Sequence, residues 1–350
     1  MFRVIGKRSH RSPTKRARRR VWLLAVAAFA LTVAAGCSSG SSKPASATGN
    51  SSASSATGGH HYRITLVTGD NHDPFFISMR DGAQAEAAKL GVSLDWTGPA
   101  MYDPSLQIPV LSSVLTSHPN FLLVCPVDLH ALIQPIRQFD QAGIPVMTLD
   151  SDVSDTSVRA GNITSNNSLG GKEAADFLAK AIGGHGQVAV LNEQPGVSTT
   201  DLRQSGFIAE IKKYPGITYV GVGRDNDDPT VAARAGSALL TRYPHLAGFF
   251  ATDDGNGSGA IAAVKGAGLA GQVKIVAYDA EPDEVQALES GQVTALVVQK
   301  PYLEGQLAVM DAVDYLNGNH HAIPAQIMQT AIIATKANIS SPQVSQFIYK

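Results

Sequence analysis

Cysteine is nearly absent from this chain, with only Cys37 and Cys125 in 350 residues. That excludes a disulfide-stapled scaffold and a cysteine-rich metal site. No acidic residue precedes Asp70. The apolar run Val21–Ala35 has 15 residues, short of the ~20 that a membrane-spanning helix needs. Also missing are a Gly-x-Ser-x-Gly elbow, a Walker loop and a cluster of histidines at metal-ligand spacing. Nothing in the sequence therefore speaks for a serine hydrolase, a nucleotide hydrolase or a metalloenzyme, and no cofactor or metal is expected.

The near-zero formal charge hides an uneven distribution. Residues 1–20 carry nine Lys and Arg; taking those from the 28 basic residues leaves 19 against 29 acidic, a net charge of −10. A body that acidic lacks the basic face that nucleic-acid binding requires. Basic residues, then the apolar run, then Ala34-Ala35-Gly36-Cys37 read as a signal peptide over 1–36. The last four residues resemble a bacterial lipobox, which implies lipidation of Cys37 after cleavage. A plain secretory signal is the alternative, and the paired arginines leave the twin-arginine route open. From 37 to 60 the chain is mostly Ser, Gly, Ala, Thr and Asn. Such a segment cannot bury enough apolar surface to offset its ordering entropy, so it reads as a flexible tether reaching on the order of 25 Å.

From Tyr62 onward, short apolar or β-branched runs alternate with longer helical stretches. Strands are expected at 63–68, 92–96, 121–124, 145–149, 187–191, 217–222, 247–251, 273–277 and 294–298. Helices are expected near 75–90, 104–117, 129–142, 168–182, 199–213, 229–242, 257–267, 282–290 and 302–316. Asp103-Pro104 supplies an N-cap followed by proline at the first helical position. Ser168 reads as the cap of its helix, Pro109 as an interruption, and Gly91, Gly143 and Gly268 as helix stops. This rhythm implies βαβ units and parallel sheets. Residues 158–166 break it and read as a crossing between two lobes. Gly255-Asn-Gly-Ser-Gly259 lacks the Lys-Ser/Thr of a phosphate loop and reads as close helix packing.

Ligands of open α/β sheets sit beyond the carboxyl ends of strands. Those ends here carry Asp73, Asp128, Asp150, Asp253, Asp279 and Gln299. Carboxylates and amides hydrogen-bond vicinal hydroxyls, and aromatic rings such as Phe75 and Phe76 cover the C–H faces of a sugar. For any single aspartate, a helix N-cap is the competing explanation. Trp96 and Tyr102 are expected in the core or at the surface.

Several segments, in this order and spacing, resemble the periplasmic sugar-binding proteins of the ribose-binding type, which feed ATP-binding-cassette (ABC) importers. They are Asp73-Pro-Phe-Phe-Ile-Ser-Met-Arg-Asp-Gly-Ala-Gln84, Gly143-Ile-Pro-Val-Met-Thr-Leu-Asp150, Asn167-Ser-Leu-Gly-Gly171, Arg203-Gln-Ser-Gly-Phe207, Ala277-Tyr-Asp279 and Gln299-Lys-Pro301. The resemblance covers about 62–330. Gly98-Pro99-Ala-Met-Tyr-Asp103 with Gln107 also looks like the branch of rhamnose- and autoinducer-type binders. Carried over position by position, the resemblance implies ligand contacts at Asp73, Phe75, Phe76, Cys125, Asp150, Arg203, Asp227, Asp253, Asp279 and Gln299. Asp73, Cys125 and Asp253 stand where a ribose binder has Asn, Ser151 where Arg is usual, and Asn226-Asp227 where the second lobe's stacking aromatic belongs. The pocket is thus more acidic than a ribose site, which opens the way to an amino sugar or a bound cation. As a lone thiol, Cys125 also fits a small buried core position.

The implied fold is α/β, two Rossmann-like lobes of the type I periplasmic-binding-protein architecture joined by hinge crossovers. The first lobe is expected to comprise 62–164 and about 300–326, the second 165–299 and about 327–350. The implied function is non-enzymatic: capture of a sugar or polyol, hinge closure, and delivery to ABC permease subunits by a monomer anchored outside the cell membrane through Cys37. A sugar-sensing co-receptor and a carbohydrate-active enzyme are the alternatives.

Overall fold

The computed structural model of the chain describes residues 61–349. The signal segment, Cys37 and the tether lie outside the described residues. The first half runs β1 (Arg63–Val67), α1 (Pro74–Leu90), β2 (Ser93–Thr97), α2 (Pro104–Thr116), β3 (Phe121–Val124), α3 (Ile133–Gln141), β4 (Val146–Leu149), β5 (Gly161–Ser165). It continues through α4 (Asn167–Ala181), β6 (Gly186–Asn192), α5 (Ser198–Ile211), β7 (Ile217–Arg224), α6 (Pro229–Arg242), β8 (Leu246–Ala251), α7 (Asp254–Gly266) and β9 (Lys274–Tyr278). Then come α8 (Pro282–Ser290), β10 (Ala295–Val298), α9 (Pro301–Leu316), β11 (Ile327–Gln329) and β12 (Ile332–Ala334).

The strands make two six-stranded sheets, ordered β11-β5-β4-β3-β1-β2 and β12-β10-β9-β8-β6-β7. Every pairing is parallel except β10 with β12. Burial on both faces explains why the central strands are apolar throughout rather than alternating. Phe121 and Leu123 of β3 join one core cluster, beneath α1 and α9, whereas Leu122 and Val124 join another, beneath α2 and α3. The edge strand β2 (Ser-Leu-Asp-Trp-Thr) is only partly covered.

The chain passes between sheets three times: from β5 to α4, from β10 to α9, and from β11 to β12. Two of these crossings are tied together, the Asn166 amide donating to the Gln329 carbonyl at 2.7 Å. The section at 158–166 holds a strand, β5, that its composition conceals. Asn162, Thr164 and Ser165 are buried there beside Ile163, and the Asn162 amide donates to the Thr148 hydroxyl at 3.1 Å. Because Ile327–Gln329 pairs with β5, the chain stays with the first sheet three residues past the expected boundary at 326. Asn166, not Ser168, caps α4, accepting from the Leu169 amide. Helix α2 runs on through Pro109, and Gly255-Asn-Gly-Ser-Gly259 lies inside the first turns of α7.

Three helix pairs cross on glycines. A Cβ on Gly82 of α1 would overlap the Tyr302 carbonyl of α9, and one on Gly305 of α9 would overlap the Met79 carbonyl of α1. A Cβ on Gly171 of α4 would overlap the Arg203 carbonyl of α5, and one on Gly206 of α5 would overlap the Ser168 carbonyl of α4. At Gly259 of α7 the obstacle is Ala232 of α6. Since backbone cannot step aside as a side-chain tip does, Gly206→Ala should destabilise by about 1–3 kcal/mol and lower the melting midpoint by several degrees. Gly266→Ala, at an exposed helix position with nothing within 4 Å of the new methyl, should be neutral or stabilising by up to ~1 kcal/mol. Equal melting of the two variants in a thermal scan would show that the α4–α5 crossing has slack.

Candidate functional site

The segments that follow β1, β2 and β4 face those that follow β6 to β10 across a cleft. Nine of the ten residues assigned from the resemblance line it: Asp73, Phe75, Phe76, Asp150, Arg203, Asp227, Asp253, Asp279 and Gln299. Cys125 does not. Its thiol points into the core, 3.6 Å from the Met79 sulfur, and fills a gap under α1, so the ligand contact expected of it is not made there.

Each aspartate is set by local backbone chemistry. Asp73 caps α1, accepting from the Phe75 amide at 2.6 Å, and Asp253 caps α7, accepting from the Asn256 amide at 2.7 Å. The cap explanation is thus correct for both, yet it uses a single oxygen: Asp253 Oδ2 is buried without a partner. Asp150 and Asp279 directly follow β4 and β9, and each extends its ladder by one bond, to the carbonyls of Ile163 (2.8 Å) and Val297 (3.0 Å). Both then turn left-handed, with φ of 55° and 79°, as does Asp227 at 60°. Asp and Asn tolerate that region better than other side-chain-bearing residues. Here it swings the side chain off the sheet edge into the cleft.

Among the described residues, Arg203 is the only cation on the wall. Its Nε donates to Asn167 Oδ1 and its Nη1 to the Thr252 carbonyl, both at 2.8 Å, and its guanidinium stacks 3.9 Å above the Tyr278 ring. Nη1 lies 3.8 Å from Asp279 Oδ2. Burial pulls its pKa down, but Asp279, Tyr278, Asp150 and Asp253 together raise it above the ordinary value. Asp279 Oδ1 accepts from Gln299 Nε2 (2.6 Å) and the Tyr349 hydroxyl (2.9 Å). On the other wall Phe75 and Phe76 meet edge to face at 5.1 Å, and Tyr102 stacks on Phe76 at 6.3 Å.

Several wall residues escaped the sequence reading. Tyr102, expected in the core or at the surface, lines the cleft, as do Glu193, Thr199, Thr200 and Asp254. Glu193 directly follows β6, so inspecting that strand end as closely as the others would have found it. Asp254 adjoins Asp253 and hides behind it. Tyr349 carries no signal: its position in the sequence does not reveal that its ring packs 5.7 Å from Phe75 while its hydroxyl holds Asp279.

The acids crowd one another. Asp254 brings a carboxylate oxygen within 4.8 Å of Asp73 and Glu281 on one side and of Asp227 and Asp253 on the other. Burial, reinforced by Glu193, Asp254 and Asp73, pushes Asp227 up to about 10. Burial and then Asp254 push Glu281 up to about 9. Asp150 is raised to about 6 because burial outweighs the pull of Arg203, and Asp254 to about 6 by burial and then Asp279. Burial also drives Asp73, Glu193 and Asp253 well above the carboxylate range. At neutral pH several of these groups therefore hold protons.

The two sides also touch directly. The Leu129 amide donates to the Gly196 carbonyl at 2.8 Å, and the Asp152 amide to the Ser198 hydroxyl at 2.9 Å. An enclosed cleft with strand-end carboxylates, one guanidinium and an aromatic wall suits a polyhydroxylated molecule.

Comparison with known proteins agrees with this geometry. The family described as the periplasmic binding protein domain matches residues 64–320. The ribose import binding protein of Salmonella typhimurium is 32% identical over 255 residues, covering 73% of this chain and 85% of that protein. An ABC transporter solute-binding protein from Agrobacterium vitis, solved with α-D-tagatopyranose bound, superposes with a TM-score of 0.81 at 37% identity, covering 83% of this chain and 99% of that one. A carbohydrate transporter solute-binding protein from Agrobacterium radiobacter, in complex with D-arabinose, superposes with a TM-score of 0.78 at 27% identity, covering 82% and 99%. A match across nearly the whole described body, together with a relative above 30% identity, places the chain in the periplasmic binding protein family, in the branch that includes the ribose import binding proteins.

Proposed function

We propose that this protein is an extracytoplasmic sugar-binding lipoprotein, which captures a sugar or polyol between its two lobes and hands it to the permease of an ABC importer. The observation that carries the reading is the pairing of strand-end carboxylates, Gln299 and Arg203 with the Phe75–Phe76–Tyr102 wall in a cleft bounded by both sheets. Hydroxyls meet the polar groups, and the rings cover the C–H face. No proton transfer, nucleophile or leaving-group contact is asked of the protein, only binding and closure. The names of the relatives, which refer to ribose import, bound tagatose and bound arabinose, support a carbohydrate as the ligand class.

Asp150 and Asp279 test the pocket. Both occupy left-handed backbone, where asparagine fits and alanine does not, so Asp150→Asn and Asp279→Asn keep the fold while removing a charged acceptor. Losing such a hydrogen bond costs about 1.5–3 kcal/mol, so each variant should bind the sugar found by a thermal-shift screen roughly tenfold to a hundredfold more weakly. Wild-type affinity in both would remove them from the ligand contacts. Arg203→Ala is a poorer probe, because it also strips Asn167 and the Thr252 carbonyl of their donor and leaves Asp279 buried with less compensation.

Capture by closure requires the lobes to part in the free state and meet around the ligand. Small-angle scattering should show a smaller radius of gyration at saturation, and an unchanged radius would argue for a rigid pocket. Anchoring rests on the lipobox-like Ala34-Ala35-Gly36-Cys37. The mature protein should partition with membranes and carry acyl mass on Cys37, and Cys37→Ser should lose both. Unlipidated wild-type protein in the medium, with a different N-terminus, would contradict this.

A further inference from the structure

We infer that the ligand carries a positive charge: an aminated polyol of the amino-sugar class, whose ammonium group sits among Asp73, Asp227, Asp253 and Asp254 while its hydroxyls reach Asp150 and Gln299. This rests on the sugar-binding reading and narrows it, since the sugars bound by the two solved relatives, tagatopyranose and arabinose, are neutral.

Three features of the cleft lead here. The first is charge. Among the described residues, seven carboxyl side chains and one guanidinium line the cavity, and Arg203 lies closest to Asp279, so one cation faces seven acids.

The second is the polarity of the unused hydrogen-bonding capacity. Among the described residues, five buried polar atoms without a partner belong to the cavity wall: Asp150 Oδ1, Glu193 Oε2, Asp253 Oδ2, Gln299 Oε1 and the Thr200 hydroxyl. Asp150 Oδ1 and Gln299 Oε1 are acceptors; Glu193 and Asp253, whose side chains lie within hydrogen-bonding reach of each other, become free acceptors once the proton held between them leaves. Glu193, Asp253 and Gln299 are 5%, 6% and 2% exposed, respectively. A neutral sugar brings one donor with every hydroxyl acceptor, and so leaves such a wall in surplus. An ammonium brings three donors and no acceptor.

The third is coordination. Asp73 and Asp253 have each spent one oxygen on a helix cap. The carboxylates form two groups of three that share Asp254, Asp73–Asp254–Glu281 and Asp227–Asp253–Asp254, each offering three oxygens within 4.8 Å of one another, which matches three ammonium donors better than the six to eight oxygens of a calcium shell.

Binding must then displace protons. Facing Asp254 are Asp73 at the start of α1, Asp227 after β7, Asp253 after β8, Asp279 and Glu281 after β9 and the buried Glu284 of α8, with Arg203 of α5 as the one cation of the cavity wall among the described residues. Glu193 after β6 and Asp225 after β7 complete the surround. Groups held protonated in the empty cleft ionise when the ammonium arrives, so affinity rises with pH as long as the amine itself stays charged.

The test is a titration panel on the whole mature protein by thermal shift and calorimetry. Glucosamine, galactosamine and mannosamine are each paired with the neutral parent sugar, and ribose, tagatose and arabinose are included, as are Ca²⁺, Mg²⁺ and Mn²⁺ alone. The expected result is at least one amine binding tenfold or more tighter than its neutral parent. Its affinity should climb from pH 5 to 7.5, and its heat should differ between two buffers in the way proton release requires. Asp254→Asn should weaken that amine at least tenfold more than it weakens the neutral parent. Neutral sugars binding as tightly as the amines would overturn the inference while leaving the sugar-binding reading intact. Stabilisation by a metal ion alone would replace the ammonium with a metal. Binding of no polyol, aminated or neutral, would sink both the inference and the reading beneath it.

Discussion

The cleft is governed by the repulsion and desolvation of carboxylates that closure brings together from opposite lobes. Asp73 belongs to the first sheet's side; Asp254 and Glu281, within 4.8 Å of it, belong to the second. Each ion removed from water costs several kcal/mol, and like charges at that spacing add to the cost. Bringing these acids together therefore favours proton uptake or a donor-rich ligand that replaces repulsion with hydrogen bonds. In the proposed capture by closure, that preference would couple ligand to the lobe-to-lobe arrangement without any special hinge residue.

What holds the acids in place is ordinary secondary-structure chemistry used twice. Asp73 and Asp253 satisfy orphan amides at helix starts and still present a second oxygen. Asp150 and Asp279 end strands with a left-handed turn whose strain the next ladder bond supports. Arg203 is placed by the crossing of α4 and α5, where Gly171 and Gly206 let the backbones touch. The Asn167-Ser-Leu-Gly-Gly171 and Arg203-Gln-Ser-Gly-Phe207 segments are thus two halves of one contact. Asn167 then accepts from the Arg203 Nε, so packing and site geometry are set by the same pair of helices.

The nine strands and nine helices expected between 63 and 316 were legible because a parallel sheet covered on both faces forces continuous apolar runs and caps between them. β5 was not, since its inward side chains are Asn162 and Thr164, buried by hydrogen bonds rather than by apolarity. β11 and β12 are three residues each, too short to show periodicity. For the site, the rule that ligands lie past strand ends picked out Asp73, Asp150, Asp253, Asp279, Gln299 and the Phe75–Phe76 pair of the cleft wall, but also Asp128, which lies off the wall and accepts from the His130 and Ala131 amides. It missed Tyr102 and Tyr349, which reach the cleft through a loop and the chain's far end. The resemblance put Cys125 among the contacts, but the thiol takes the other place open to it, a small buried core position.

The change in cleft charge leaves the fold untouched, and that explains how a resemblance to ribose binders coexists with so acidic a site. Asp73 and Asp253 stand where a ribose binder has asparagine, and the two residues cap a helix about equally well. Replacing amide with carboxylate there preserves the cap bond to Phe75 or Asn256 and the direction of the side chain. What changes is that the second atom loses its hydrogens and gains a charge. Selectivity can therefore shift from neutral toward cationic polyols through exchanges invisible to core packing, strand register and helix boundaries. The fold constrains where the cleft's polar atoms sit, and the choice between carboxylate and amide at those atoms decides which donors a ligand must bring.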